Sequence, residues 1–148
     1  MINPEFNLKN LPARTSKPRN SGFTMVMDKG LSTREVENFL DVSANYSDII
    51  KLGFGTSAVT PNLGDKIKLY KEAGIPVYFG GTLFEAFVIR GQFDDYKRLL
   101  DKYKITHCEV SDGSIEISEE EKCGYIRALA KDFTVLSEVG SKDAEKII

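Results

Sequence analysis

The sequence has little of the residues that build metal or disulfide centres. Its 148 residues include two cysteines, one histidine and no tryptophan. Cys108 and Cys123 lack the spacing of a metal site or a redox pair, so we expect two buried thiols. His107 lies at the start of a predicted strand, which favours a structural role. These features argue against a disulfide framework or a cysteine-based metal centre.

An excess of charge of one sign and long hydrophobic runs are also absent. The 20 basic and 22 acidic residues give a net charge of −2, with no run rich in Lys or Arg. We therefore expect no nucleic-acid partner. No apolar run approaches the roughly 18 residues that a membrane span needs, and the start of the chain does not resemble a signal peptide. We expect no membrane partner and a cytoplasmic location.

Strand-like and helical segments alternate along the chain, at a spacing of roughly 25–30 residues that is typical of a βα unit. Such alternation predicts an α/β fold with a parallel sheet. Residues 1–22 carry three of the five prolines, so we predict an irregular leader there and one partial barrel domain over 23–148. The predicted strands are Thr24–Gly30, Ile49–Ser57, Val77–Thr82, His107–Ser114 and Thr134–Gly140.

Helix boundaries carry local signals. Three Ser/Thr-x-x-Glu patterns predict capping boxes, and Thr60-Pro61 predicts the start of a further helix. Gly74 predicts a helix end and Gly91 an interruption. The three capping pairs are Ser32 with Glu35, Thr82 with Glu85, and Ser118 with Glu121.

Two architectures fit a parallel sheet of this kind. An open dinucleotide-binding sheet needs a glycine fingerprint after its first strand, and Gly53-Phe54-Gly55 lacks the third glycine. Polar residues at the end of every predicted strand favour a TIM (β/α)₈ barrel, in which many loops share one site. The chain would cover about five of the eight βα units.

Charged residues occur within the predicted strands. Side chains on a strand alternate between two faces. If the more apolar face meets the helices, Asp28, Lys51, Glu109 and Glu138 all point into the barrel. Buried charges need partners, and hard oxygen ligands suit Mg²⁺. The alternative is a structural salt-bridge network in which Lys51 pairs with Glu109 or Asp28.

The strand ends are also rich in glycine and hydroxyl residues. Glycines allow close backbone approach to a ligand, and the following helix N-termini favour anions. Ordinary turn and capping chemistry is the alternative, which we favour for Thr82 and Thr60. The predicted substrate-binding residues are Gly53, Gly55, Thr56, Ser57, Gly80, Gly81, Thr82, Ser111 and Ser114.

Five motifs in order resemble the phosphosulfolactate synthase family. They are Met27-Asp28-Lys29-Gly30, Lys51-Leu52-Gly53-Phe54-Gly55-Thr56-Ser57, Gly80-Gly81-Thr82-Leu83-Phe84-Glu85, Glu109-Val110-Ser111-Asp112-Gly113-Ser114 and Ser137-Glu138-Val139-Gly140. The resemblance implies a (β/α)₈ barrel carbon–sulfur lyase that adds sulfite to phosphoenolpyruvate with Mg²⁺. In methanogens this step opens coenzyme M biosynthesis. The family also suggests a homo-oligomer.

The resemblance implies roles for individual residues. Lys142 matches the proposed general acid, and Lys51 and Lys29 are alternatives for binding sulfite or a carboxylate. Metal ligands would come from Asp28, Glu109, Asp112 and Glu138.

A complete barrel takes roughly 250 residues, so we expect the last three strands and their phosphate-binding loops to be missing. We therefore expect little or no synthase activity from this chain alone. The alternative function is a non-catalytic or stress-related binding protein on the same scaffold, or an inactive fragment.

Overall fold

The structure, a computed structural model, describes residues 4–140, which form four βα units in sequence followed by a fifth strand. Four strands begin at the predicted residue and β1 begins one residue later. All five end two to five residues earlier than predicted, so most of the polar residues at the predicted strand ends lie beyond the strands. The strands are β1 (Met25–Asp28), β2 (Ile49–Leu52), β3 (Val77–Phe79), β4 (His107–Val110) and β5 (Thr134–Ser137).

The strand pairing within the described residues is parallel and follows chain order. β1, β2 and β3 form one ladder, in which Met27 aligns with Lys51 and Lys51 with Tyr78. β4 and β5 form a second ladder, and β4 lies against β3. The prediction of a mixed α/β fold with parallel strands is confirmed. Because parallel strands share a direction, the loops after all five strands emerge at one end.

The helices follow the strands as α1 (Thr33–Ser43), α2 (Leu63–Glu72), α3 (Gly81–Val88), α4 (Phe93–Lys102) and α5 (Glu119–Leu129). The capping boxes predicted at Ser32 and Ser118 are both present. Those residues satisfy backbone N–H groups that the first helical turn leaves unpaired. The capping boxes therefore fix the N-termini of α1 and α5.

Two predicted helix starts are wrong. Thr82 lies inside α3, which begins at Gly81 after the N-cap Gly80. The second helix does not begin at Pro61, because Asn62 is its N-cap. Asn62 caps α2 from the left-handed region, which asparagine tolerates, whereas Gly80 caps α3 from ordinary extended backbone. The signals at helix ends are confirmed, since Gly74 (φ +71°) follows α2 and Gly91 (φ +66°) separates α3 from α4.

The core lies between the sheet and the helices. Tyr78, Phe79 and Phe84 are buried, and Phe84 makes edge-to-face contacts with Tyr96 and Tyr125. These rings join α3 to α4 and α5.

The two cysteines differ in their environment. Cys108 is buried in β4, and burial raises the pKa of its thiol to about 12. Cys123 on α5 is exposed, so the prediction of a buried thiol there is wrong. A helix that packs on a sheet still has one face towards solvent, and Cys123 lies on the exposed face of α5.

The leader packs on the end of the sheet opposite the polar tips. Arg19 Nη1 lies 2.5 Å from Asp48 Oδ1, just before β2. Arg14 donates to Thr24 Oγ1, and Lys17 donates to the carbonyl of Ala44. The irregular leader predicted for residues 1–22 therefore contributes basic side chains that hold the amino-terminal ends of β1 and β2.

Within residues 4–140, none of the helices has the length and apolar character that crossing a membrane requires.

Candidate active site

Lys51 lies at the centre of a charged cluster on one face of the sheet. Its Nζ is 2.7 Å from Glu109 Oε1 and 3.6 Å from Glu138 Oε1. Lys51 and Glu109 are buried, whereas the side chain of Glu138 is 46% exposed. The cluster therefore has one buried ion pair and one carboxylate that is open to solvent.

The strand register explains why these three side chains meet. Lys51 on β2 aligns with Tyr78 on β3, whose neighbouring strand β4 carries Glu109. Glu109 aligns with Leu136 on β5, and alternation along the chain places Glu138 on the same side as Leu136. The predicted grouping of Lys51, Glu109 and Glu138 is thus present in the structure.

Asp28 does not join this cluster, so the prediction that it points inward is wrong. Its carboxylate is 2.7 Å from Lys66 Nζ and accepts a hydrogen bond from Tyr70 Oη at 3.0 Å, both on α2. It also accepts from the backbone N–H groups of Gly30 and Leu31, each at 2.8 Å. Asp28 therefore faces the helices and anchors the loop after β1.

Asp112 is likewise held by a lysine from a helix. Lys122 Nζ on α5 donates to Asp112 Oδ1 and to the backbone carbonyl of Glu138, both at 2.7 Å. The lysine thus ties the loop after β4 to the end of β5. This contact fixes the chain at Glu138, which faces Lys51.

The four carboxylates predicted as metal ligands do not form one site. Lysines hold Asp28 and Asp112 separately, and Glu109 and Glu138 both face Lys51. Within residues 4–140, no group of three or more His, Cys, Asp or Glu side chains could hold a metal ion. The described part of the chain therefore contains no group of three carboxylates that could hold Mg²⁺.

Gly80 and Gly81 allow the charged cluster to pack closely. A Cβ at position 80 would lie 2.9 Å from Lys51 Cε. Gly81 N donates to Glu109 Oε1 at 2.7 Å, so Glu109 occupies the first turn of α3. Negative charge is favourable at a helix N-terminus. The anion at the Gly81 amide is thus a carboxylate of the protein itself.

Ser111 fills the space beside Gly81. A Cβ at position 81 would lie 2.4 Å from Ser111 Oγ and 2.5 Å from its Cβ. Ser111 is fully buried and its hydroxyl donates to Glu85, which is buried on α3. The structure therefore places this predicted substrate ligand in an internal hydrogen bond.

Replacing Gly81 with alanine should lower the free energy of unfolding by about 1–3 kcal/mol, because overpacking a well-filled core costs this much. Ser111 cannot move aside easily since it is buried and bonded to Glu85. Urea denaturation followed by circular dichroism measures the change.

Gly124→Ala is the matched control for Gly81→Ala. Position 124 lies within α5, and a Cβ there would have no neighbour within 4 Å among the described atoms. Alanine should stabilise the helix there by about 0.5–1 kcal/mol. If Gly81→Ala were as stable as the unchanged chain or more stable, the close packing at Gly81 would be disproved.

The remaining predicted substrate-binding residues lie in the loops at the carboxyl ends of the strands. Thr56 Oγ1 donates to the carbonyl of Gly53, which closes the turn after β2. Gly55 (φ +67°) lies in the left-handed region. Ser57 is buried, and its hydroxyl has no hydrogen-bond partner among the described residues.

Two further predicted substrate-binding residues differ in burial. Thr82 is half-buried within α3 and Ser114 is exposed in the loop after β4.

The two further lysines differ in what the structure describes. Lys29 is exposed in the loop after β1, and its Nζ lies 5.5 Å from the centre of the Phe54 ring. Lys142, the predicted general acid, lies outside the described residues.

Comparison with known proteins identifies the family of this chain. The sequence profile of the (2R)-phospho-3-sulfolactate synthase (ComA) family matches residues 12–148. The chain belongs to this family.

Curated relatives agree with the family assignment. The phosphosulfolactate synthase of Bacillus subtilis is 38% identical over 141 residues, which cover 95% of this chain and 56% of the relative. That of Methanocaldococcus jannaschii is 45% identical over 128 residues, or 84% and 51% of the two chains. That of Methanothermobacter thermautotrophicus is 37% identical over 138 residues, or 91% and 54%. The chain spans about half the length of these relatives.

Several residues that contact the predicted site residues were not predicted from the sequence. Lys66 and Tyr70 are four positions apart on α2, so they share a helix face, and both are buried. A lysine at a buried helix position signals a buried partner, and that signal could have identified Asp28. Tyr78 is buried beside Glu109. Burial is the larger cause that raises the pKa of its phenol, and the negative charge of Glu109 is the second.

Proposed function

We propose that this chain supplies part of the active site of a phosphosulfolactate synthase, which adds sulfite to phosphoenolpyruvate. The supporting observation is the Lys51 ammonium between Glu109 and Glu138 in a member of that family. A buried lysine whose second carboxylate partner is exposed can exchange that partner for a substrate anion. Its position on a parallel strand agrees with the usual site of α/β enzymes.

The reaction needs a positive group beside the carboxylate of phosphoenolpyruvate. The sulfur lone pair of sulfite forms a bond to the methylene carbon, and the π electrons move towards the adjacent carbon and the carboxylate. A proton then adds to that adjacent carbon and gives phosphosulfolactate. Fixed donors that face the developing charge lower the barrier of such a step.

Lys51 is our candidate for stabilising this charge. Glu109 holds the lysine at 2.7 Å from one side and itself accepts the Gly81 amide. The Lys51 ammonium is thereby oriented before substrate arrives, which reduces reorganisation during the reaction. Glu138, exposed and at 3.6 Å, is the partner that a substrate carboxylate would replace. Lys142 stays our prediction for the general acid.

Mg²⁺ stays a prediction for this reaction. The described carboxylates do not offer a group of three ligands, so we derive no step through a metal. Phosphoenolpyruvate and sulfite as partners, a homo-oligomer and a cytoplasmic location are likewise predictions.

We also propose that the four βα units and the fifth strand are part of a (β/α)₈ barrel. In support, the hydrogen-bonded strands are neighbours in chain order, β1-β2-β3 and β4-β5. A doubly wound sheet would instead reverse its strand order at a switch point.

A chimera tests the proposed function. The chain would be joined to the part of the Methanocaldococcus jannaschii synthase that lies beyond the matched half. We expect the chimera to consume phosphoenolpyruvate in a sulfite-dependent reaction, measured by phosphorus NMR of substrate and product. The 148-residue chain alone should show little or no turnover, because it spans about half of the relatives.

The controls separate folding from chemistry. Circular dichroism and gel filtration must show that the chimera is folded and homogeneous. A folded chimera that binds phosphoenolpyruvate but never forms product would contradict the proposed function. Full turnover by the chain alone would contradict the proposal that the active site is shared with a second half.

A further inference from the structure

Phe54 combines two features that are unfavourable for an aromatic residue. Its backbone is in the left-handed region, with φ +54°. Bulky side chains rarely adopt this conformation because Cβ approaches the carbonyl oxygen. The residue is also 59% exposed. Local backbone strain of this kind is concentrated at functional sites.

The ring of Phe54 faces the ammonium of Lys29. The Nζ lies 5.5 Å from the ring centre, which is within the range of a cation–π contact. Lys29 belongs to the loop after β1, and Phe54 to the loop after β2. The contact therefore joins the loops of two neighbouring strands at the end where the family motifs lie.

The backbone of both loops is fixed independently of this contact. Asp28 accepts from the N–H groups of Gly30 and Leu31, on the C-terminal side of Lys29. Thr56 Oγ1 donates to the carbonyl of Gly53, just before Phe54. Two rigid turns thus present a flexible lysine side chain to an aromatic face, and the ring limits where the ammonium can go.

Lys29 also borders a groove of ligand size. The groove has a volume of about 460 Å³ and includes Thr56, Thr60 and Asn62 in its lining. Small-molecule sites typically measure about 300–1,000 Å³. Glu35 lines the groove as well, but its carboxylate accepts from the Ser32 N–H and hydroxyl in the capping box.

We propose that Phe54 is a positioning residue, which holds the Lys29 ammonium ready for an anionic group of the substrate. The inference rests on the proposed function, since it takes phosphoenolpyruvate as the anion. Holding the lysine in advance reduces the entropy that is lost on binding. The strained backbone at Phe54 is the cost of pointing its ring at the lysine.

Stability and affinity should change in opposite directions when Phe54 is replaced by asparagine. Asparagine tolerates the left-handed region, so Phe54→Asn should raise Tm by about 2–4 °C. The same variant should weaken phosphoenolpyruvate binding to the chain by about three- to ten-fold, measured by calorimetric titration. A residue with a purely structural role would not show higher stability together with weaker binding.

Matched variants identify the contact that is responsible. Phe54→Tyr keeps the aromatic face and should retain affinity, whereas Phe54→Leu keeps apolar bulk and should lose it. Lys29→Met should weaken binding at least as much as Phe54→Asn, and the double variant should be no worse than Lys29→Met. Ile89→Asn is the surface control, because Ile89 is 60% exposed with an ordinary φ of −63°. This variant should not combine a higher Tm with weaker phosphoenolpyruvate binding.

The outcomes separate this inference from the proposed function. An unchanged affinity in Phe54→Asn or in Lys29→Met overturns the inference, even if the chimera forms product. A lower Tm in Phe54→Asn also overturns it. The chain variants could show the expected losses of affinity while the chimera forms no product. That outcome would support the inference and reject the proposed reaction. If the unmodified chain binds no phosphoenolpyruvate, the inference is rejected.

Discussion

Replacing Lys66 with methionine should lower the free energy of unfolding by about 3–5 kcal/mol, which is typical when one partner of a buried ion pair is removed. The side chains of Lys66 and Asp28 are 2% and 1% exposed. Methionine retains the unbranched apolar stem, so the main loss is the charge that faces the Asp28 carboxylate. Urea denaturation followed by circular dichroism measures this loss.

A surface lysine provides the control for Lys66→Met. Lys68 lies on the same helix and pairs with Glu72, and their side chains are 70% and 62% exposed. Lys68→Met should change stability by less than about 0.5 kcal/mol, because exposed pairs contribute little. Combining Lys66→Met with Asp28→Asn should recover part of the loss, since no uncompensated charge is then buried. A loss below about 1 kcal/mol in Lys66→Met would contradict the structural role of Asp28.

Replacing Lys51 with methionine should reduce sulfite-dependent turnover of the chimera by at least about 100-fold, as expected when one group that stabilises a developing charge is removed. Removing the ammonium also takes away the cation that Glu109 and Glu138 share, while the Gly81 amide still donates to Glu109 Oε1. Phosphorus NMR follows phosphoenolpyruvate and product over time. Near-normal turnover would exclude Lys51 from the reaction.

Stability must be separated from chemistry in this experiment. Lys51→Met should also destabilise the fold, because Glu109 remains buried. Turnover is therefore measured at a temperature where circular dichroism shows the variant folded. Lys68→Met, on the surface of α2, should turn over at the normal rate.

Strand positions could be predicted from the sequence because they depend on local patterns. Four strands begin at the predicted residue, and the capping boxes at Ser32 and Ser118 form as expected. Each of these features is set by residues within a few positions of one another. Thr82 failed as a cap because Gly80, two residues earlier, takes that place.

The direction of Asp28 could not be predicted because β1 has no clearly polar face. Met25 and Met27 form the more apolar side, and on that basis they would meet the helices. In the structure Met27 instead aligns with Lys51, and Asp28 meets Lys66 on α2. Lys66, which is 38 residues away in sequence, determines which face of the sheet Asp28 occupies. Strand alternation contains no information about such a distant partner.

The same limit applies to Ser111 and Phe54. A serine in a strand-end motif looks like a substrate ligand until its partner Glu85, 26 residues earlier, is known. Phe54 carried no signal beyond the glycines beside it, because φ is not visible in the sequence. The grouping of Lys51, Glu109 and Glu138 was predictable, since each lies on the less apolar face of its strand and the parallel register brings those faces together.

Phosphoenolpyruvate titration of the isotopically labelled chain, followed by NMR, tests the central claim most directly. The claim is that substrate binds at the carboxyl ends of the strands beside Lys51. We predict that the largest shifts occur at Gly53, Gly80, Gly81 and Glu138, and that Lys51→Met removes them. Shifts concentrated at the opposite end of the sheet, near Arg19 and Asp48, or shifts that persist in Lys51→Met, would contradict the claim.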